Sequence, residues 1–245
     1  MKVFNRKSEK GFSLVELAIS VTVVGFLIAA VLKGGEVLEN ARVATTIAQA
    51  KSYTVAASTF KELYGAYPGD ISDAVIGCDS SCDAGDGDGE IESGAGRNPA
   101  WNMALQSDDE SFQFWKHLAF TELVSDVQAT AEGDDVSDMS FGVTNPKSNM
   151  GGGFDVWYDS DFRPDDLNLG RSGHFLRLFN ASFNLRPLAA ASIDRKMDDG
   201  QPYTGQVMSG GSDCVSGTPA IDSNYDTSQA ARSCFMFFKF GGRRG

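Results

Sequence analysis

The chain has 245 residues, 42% of them apolar, which is enough for one medium-sized domain or for one domain with an appendage. The formal charge of −12, from 33 acidic and 21 basic residues, argues against a general nucleic-acid binder, because phosphate recognition needs clustered Lys and Arg. Two histidines are too few for a three-histidine catalytic zinc site.

The N-terminal segment joins a basic flank to a long apolar run. Lys2, Arg6, Lys7 and Lys10 are basic, and no residue in the range 17–32 is charged. With residues 12–15 in front, the run is long enough for a helix to cross a bilayer, which needs roughly 20 residues. The basic flank should stay in the cytoplasm and place the C-terminal bulk on the far side of the membrane.

Glu16 interrupts this apolar run. A carboxylate inside an apolar helix is costly unless it finds a partner, and its presence therefore indicates a function. An ordinary secretory signal peptide has a shorter apolar core that ends at a small-residue cleavage motif. Here Ala29 and Ala30 are followed by a continuing helical pattern. A cleaved secretory signal and a plain uncleaved anchor are the alternatives to a specialised signal.

The string KGFSLVEL at residues 10–17 resembles the class III signal of type IV prepilins, a family that includes the pseudopilins of type II secretion. Gly11, Phe12 and Glu16 fall in the register of that signal, ahead of an apolar run. The resemblance implies that prepilin peptidase, a membrane-embedded aspartyl protease, cuts between Gly11 and Phe12. Phe12 would then be N-methylated, and the apolar segment would be retained.

The resemblance also implies that the apolar stems of several subunits pack together in a helical filament. Glu16 would then be buried and would need a positive partner, which the α-amino group of Phe12 on a neighbouring subunit can supply. A buried charge without its partner costs roughly 3–5 kcal/mol. This pair would therefore set the axial register of assembly.

The helical pattern continues beyond the membrane segment. Residues 34–65 contain no proline and predict an amphipathic helix that packs one face against the body. That face recurs at steps of three and four residues, as a helix requires, and comprises Val43, Ile47, Ala50, Thr54, Ala57, Phe60 and Tyr64. The helix should end at Gly65, before the turn signal at residues 68–70.

The remainder of the chain predicts short elements separated by polar loops. Helices are expected at residues 108–124 and near residue 189, and the glycine-rich segment 78–99 cannot be a core element. Strands are expected at residues 153–158, 174–179, 206–208 and 234–240. Together these elements predict an α+β fold of the pilin type, with a long N-terminal helix packed on a small antiparallel sheet.

The predicted organisation has four parts. They are a cytoplasmic leader at 1–11, a transmembrane and assembly helix at 12–33, an amphipathic stem helix at 34–65, and a globular periplasmic or extracellular body at 66–245. The expected location is the inner membrane, crossed once, followed by a pilus, a pseudopilus or the cell surface. Expected partners are prepilin peptidase, other pilin or pseudopilin subunits and the inner membrane, with no nucleic acid.

All four cysteines follow the membrane segment and should lie in an oxidising compartment. Four cysteines allow three pairings, and the simplest joins Cys78 to Cys82 and Cys214 to Cys234. Free buried thiols are the alternative.

Two acidic turns resemble metal loops in composition. Asp86, Asp88 and Glu90 alternate with glycines, which is typical of a calcium loop, although the spacing does not fit an EF-hand. A second acidic turn lies at residues 194–199. Solvated acidic loops are the alternative at both places, and no other cofactor is expected.

These patterns predict a structural subunit and not an enzyme, because the sequence contains no nucleophile motif, phosphate loop or metal pair. The body of about 180 residues is large for a major repeating subunit, which favours a minor one. The signal does not distinguish a type IV pilus from a type II secretion pseudopilus. A membrane-anchored surface adhesin or binding module that does not polymerise is the alternative of a different class.

Overall fold

The computed structural model describes residues 11–71, 78, 82–92, 110–128, 140–179, 185–211 and 213–242. Its helices are α1 (Leu14–Tyr64), α2 (Glu110–Phe120) and α3 (Pro187–Met197). Its strands are β1 (Gly153–Phe162), β2 (Arg171–Phe179), β3 (Val207–Gly210) and β4 (Phe235–Gly241). The fold is α+β with a long apolar N-terminal helix and a small antiparallel sheet, which confirms the predicted fold class.

The chain divides into two compact units, residues 1–41 and 42–245, and α1 contributes residues to each. In the first unit, α1 is long and apolar enough to cross a membrane. Its large apolar side chains are all exposed between residues 14 and 32.

In the second unit, α1 buries one face and ends at a glycine. The buried residues are Val43, Thr46, Ala50, Tyr53, Ala56, Ala57 and Phe60. The Tyr53 ring packs edge-on against Trp115 of α2 at 5.2 Å and against Phe154 of β1 at 5.1 Å between centroids. Gly65 has a φ of 82° and donates its N–H to the Lys61 carbonyl at 2.9 Å. Glycine adopts this left-handed conformation without strain, which stops the helix.

The four strands form one antiparallel sheet in the order β1-β2-β4-β3. Side chains alternate between its two faces, and both faces carry buried apolar residues. One face contributes Phe154, Val156, Leu176, Leu178, Met236 and Phe238 to the core that also contains the buried face of α1. A second cluster is formed by Trp157, Phe162, Phe175, Met208 and Phe237.

The elements occupy the predicted places with shifted boundaries. Helix α2 ends at Phe120, four residues before the predicted end, because Glu122 has a φ of 57° and the amides of Leu123 and Val124 fold back to the Leu118 carbonyl. Strand β1 runs beyond its predicted end to Phe162, through an irregularity after Asp159.

Candidate functional site

The predicted cleavage site directly precedes α1. Gly11, Phe12 and Ser13 are exposed and non-helical, and α1 begins at Leu14. A Cβ atom added at Gly11 would meet nothing within 4 Å. This fold therefore places no steric requirement for glycine at position 11, and any such requirement has to come from a molecule that binds the segment.

Glu16 lies in the first turn of α1, where the helix dipole favours a negative charge. Its side chain is exposed. Among the residues that the structure describes, its carboxylate has no hydrogen-bond or ion-pair partner. The main-chain carbonyl of Glu16 accepts a hydrogen bond from the Ser20 hydroxyl at 2.7 Å.

The other polar side chains in this part of α1 are satisfied within the helix. The Thr22 hydroxyl donates to the carbonyls of Ala18 at 3.1 Å and Ile19 at 2.8 Å. This back-bonding lets Ser20 and Thr22 sit in an apolar environment. Over residues 14–32, Glu16 is therefore the polar side chain that still requires a partner from outside.

The surface around Glu16 is apolar on every side of the helix. Each large apolar residue from Leu14 to Leu32 exposes more than half of its surface, with Leu14 at 85% and Phe26 at 83%. Water-soluble proteins do not present a continuous apolar surface of this extent. Such a surface needs an apolar cover, such as a bilayer or other apolar helices.

Residues 6–32 match a family model described as the prokaryotic N-terminal methylation motif. The chain carries a type IV prepilin-like class III signal. The matched motif supports a precursor of the pilin or pseudopilin type, and the apolar helix that follows fits membrane anchoring. No curated protein and no solved structure is significantly similar to this prepilin-like chain. The match includes Gly11, Phe12 and Glu16 and does not extend into the body.

The cysteines of the prepilin-like body form two disulfides, Cys78–Cys82 and Cys214–Cys234. This is the simplest of the pairings that the sequence allowed. Cys214 and Cys234 are fully buried, and the Ser209 hydroxyl lies 3.2 Å from the Cys214 sulfur. Closing this loop should stabilise the body by roughly 3 kcal/mol, and it ties the loop after β3 to the start of β4.

The structure does not gather the predicted calcium ligands into one group. The carboxylate of Asp86 lies with those of Asp70 and Glu110, whereas those of Asp88 and Glu90 lie with Glu92. Sequence reasoning overlooked Asp70 and Glu110 because they belong to a turn and to the first turn of α2. A short turn and a helix start gave no signal that they would meet the glycine-rich loop.

Asp70 and Glu110 hold the backbone of that loop. Asp70 accepts from the Gly89 N–H at 3.1 Å, and Glu110 accepts from the N–H groups of Asp86 at 3.0 Å and Glu92 at 2.9 Å. Burial raises the pKa of Asp70 to about 6 and the pKa of Glu110 to about 7. Because these pKa values are raised, the two groups stabilise the fold at low pH, and that contribution is lost as the pH rises through 6 to 7.

The second acidic turn also consists of carboxylates that accept protein hydrogen bonds. Asp194 accepts from the Gly200 N–H at 3.0 Å and from the Tyr225 hydroxyl at 2.7 Å. Asp199 accepts from the Gln201 N–H at 2.9 Å and from the Thr204 hydroxyl. These hydrogen bonds fix the shape of the turn, and this structural role accounts for the acidic residues there.

Calcium at Asp86, Asp88 and Glu90 stays a prediction. Calorimetry of the mature protein in detergent should show a melting temperature that rises with millimolar calcium and not with magnesium. At a free calcium concentration about 100-fold above the dissociation constant, binding would add about 2.7 kcal/mol to the free energy of unfolding. Asp88→Asn should lose most of the shift, and Asp226→Asn, on an exposed turn elsewhere, should keep it. A melting temperature that calcium leaves unchanged would rule out the site.

Proposed function

We propose that the chain is a structural subunit of a type IV pilus or a type II secretion pseudopilus, cut by prepilin peptidase between Gly11 and Phe12. The observation that carries the proposal is Glu16, an unpartnered carboxylate on an exposed apolar helix. The matched methylation motif supports it independently. After processing, the free amine of Phe12 stands four residues before Glu16 on the same stem.

Assembly supplies what Glu16 requires. When stems leave the membrane and pack side by side, the apolar surface of α1 is covered by other copies of the same surface. Glu16 then enters a low-dielectric environment, where it is stable only beside a cation. The amine of Phe12 on a neighbouring subunit is that cation. Because the pair forms at one stagger of the two helices, it fixes the axial register of the filament.

The body belongs on the periplasmic side before assembly. The basic leader keeps the N-terminus in the cytoplasm, and the two disulfides suit an oxidising compartment. The body of about 180 residues is large for a major repeating subunit, and the subunit is accordingly a minor one. Its work is mechanical, with prepilin peptidase and other pilin or pseudopilin subunits as partners.

Replacing Glu16 with Ala tests this proposal. The variant should insert into the membrane normally, because the change removes a charge from an apolar segment. Its incorporation into filaments should fall about 100-fold or more, since the unpaired amine of the neighbour costs roughly 3–5 kcal/mol. Glu16→Gln should fail similarly, because the amide keeps the shape and not the charge. Immunoblots of sheared filament and membrane fractions measure both effects.

Ser20→Ala is the matched control, because it removes a hydroxyl on the same helix that is already satisfied by the Glu16 carbonyl. It should assemble like the wild type. Normal assembly of Glu16→Ala would refute the role of Glu16. A wild-type protein that is processed yet remains wholly in the membrane fraction would favour the adhesin that does not polymerise.

A further inference from the structure

His174, in β2, is a buried ionisable side chain that the proposed function does not use. It is fully buried. Its ring lies among three aromatic rings, with centroid distances of 4.3 Å to Tyr67, 5.1 Å to Tyr158 and 5.7 Å to Phe240. These rings belong to three different parts of the body.

Neither ring nitrogen of His174 has a hydrogen-bond partner among the described residues. The other histidine differs, because Nδ1 of His117 accepts from the Gly69 N–H at 2.9 Å. Buried polar atoms are normally hydrogen-bonded, and an orphaned one lowers the stability of the fold. The imidazole of His174 is therefore held by packing alone.

Lys61 opposes the protonation of His174. From α1, the Lys61 ammonium lies 3.6 Å above the Tyr67 ring, whereas Lys239 of β4 pairs with Phe175 and so points to the face of the sheet opposite His174. On β1, Tyr158 pairs with His174, while the acidic Asp159 pairs with Gly173 and so points to the opposite face of the sheet. Burial, and secondarily Lys61, lower the pKa of His174 to about 3.

His174 lies where three segments of the body meet. Tyr67 belongs to the segment 65–70, which follows α1 and is called here the stem–sheet junction. His174 also pairs with Gly241, at the end of β4. The junction, β2 and the end of β4 thus meet on one uncharged imidazole.

We propose that His174 makes the stem–sheet junction acid-sensitive. The junction closes over a neutral imidazole and opens in acid, because only the open form exposes the imidazole to water and lets it take up a proton. An acidic environment thereby loosens the hold of the body on the end of the stem helix.

The sign follows from the two forms of the histidine. In the open form the pKa returns to its ordinary value of 6.5, and in the closed form it is about 3. The stability of the closed form is complete above pH 6.5 and is lost as the pH falls below it. The equilibrium constant for opening of the junction should rise about tenfold per pH unit below 6.5. At pH 4.5 it should be about 100-fold higher than at neutral pH.

Hydrogen exchange of the full mature protein in detergent tests this, with His174→Phe as the non-titrating variant that keeps an aromatic ring in the site. Wild type and variant are compared at pH 7.0 and again at pH 4.5, so that the intrinsic pH dependence of exchange cancels. Titration of Asp70 and Glu110 cancels as well, because both proteins contain them. Between the two pH values, protection of segments 65–70 and 236–241 should fall about 100-fold more in the wild type.

Tyr158→Phe is the matched control, because it alters the same aromatic site and leaves His174 able to titrate. Its protection should fall between pH 7.0 and pH 4.5 by the same factor as that of the wild type. An equal pH dependence in wild type and His174→Phe would overturn the proposal. So would an equal loss of protection across α3, because His174 would then act on the whole body and not on the junction.

A second measurement needs no variant. The imidazole resonance of His174 in the folded wild type, followed by NMR, should show no titration between pH 7.0 and pH 4.5. A midpoint near 6.5 would mean that the closed form accepts the proton, and the proposal would fail whatever the variants do.

Discussion

Replacing Gly11 with Val is expected to abolish removal of the leader. The protease must bring the peptide bond after residue 11 into a tight active site at the membrane face, and glycine, without a Cβ, allows the closest approach. The variant should stay in the membrane as a full-length precursor. The wild type should lose residues 1–11, with their four basic side chains, and expose an N-methylated Phe12. Intact-mass spectrometry of the membrane fraction separates these outcomes.

The structure makes this variant informative, because a Cβ at Gly11 meets no atom of the chain within 4 Å. A block in processing would then report on the protease and not on misfolding. Gly25→Ala is the matched control, since its Cβ also meets nothing within 4 Å, and it should be processed normally. Gly11→Ala should be partly processed. A wild type that keeps its leader beside active prepilin peptidase, or is cut after Ala30, would refute the prepilin-like processing.

Replacing Arg177 with Ala should destabilise the body by roughly 3–5 kcal/mol, because it leaves the buried Asp155 carboxylate without its cation. The two residues face each other across β1 and β2. The Arg177 Nε–H donates to Asp155 Oδ1 at 3.0 Å, and Nη2 donates to the other carboxylate oxygen. The guanidinium also lies 4.9 Å above the Trp157 ring, so packing is lost as well.

Burial raises the pKa of Asp155, and Arg177 opposes that rise. The lone carboxylate of the variant should therefore take up a proton more readily, and acid should recover part of the lost stability. Urea unfolding of the mature protein in detergent measures the effect. Arg163→Ala breaks a half-exposed pair with Asp161 and should cost less than about 1 kcal/mol. If both variants lost a similar amount of unfolding free energy, burial would not be what makes the Arg177–Asp155 pair important for stability.

Much of the fold could be predicted from the sequence because its signals are local. The long helix follows from apolar residues at steps of three and four, and its end follows from Gly65, which the structure finds in the left-handed conformation. The strands lie where short apolar runs are bounded by turns. The observed boundaries differ from the predicted ones where the backbone adopts a conformation that the side-chain pattern does not indicate. The positive φ of Glu122, just after α2, is an example.

The partners of buried polar groups could not be predicted in this way. Asp155 and Arg177 are 22 residues apart, and they pair only because the register of β1 on β2 sets them opposite each other. Asp70 and Glu110 meet through a loop whose composition indicated calcium instead. His174 begins a strand that the sequence predicts, but the sequence does not show that three separate segments close around its imidazole and leave it without a hydrogen-bond partner among the described residues.

The prepilin-like signal can be recognised from amino-acid order alone, because Gly11, Phe12, Glu16 and the apolar run lie along one continuous segment, which the methylation motif matches. In a helix, residues that are close in sequence are also close in space. Such a segment can therefore be recognised without knowledge of the rest of the fold. Which ionisable groups of the body are buried, paired or left without a partner becomes apparent from the folded chain. Those properties depend on strand register and chain closure over long separations, where no local pattern specifies which residues will meet.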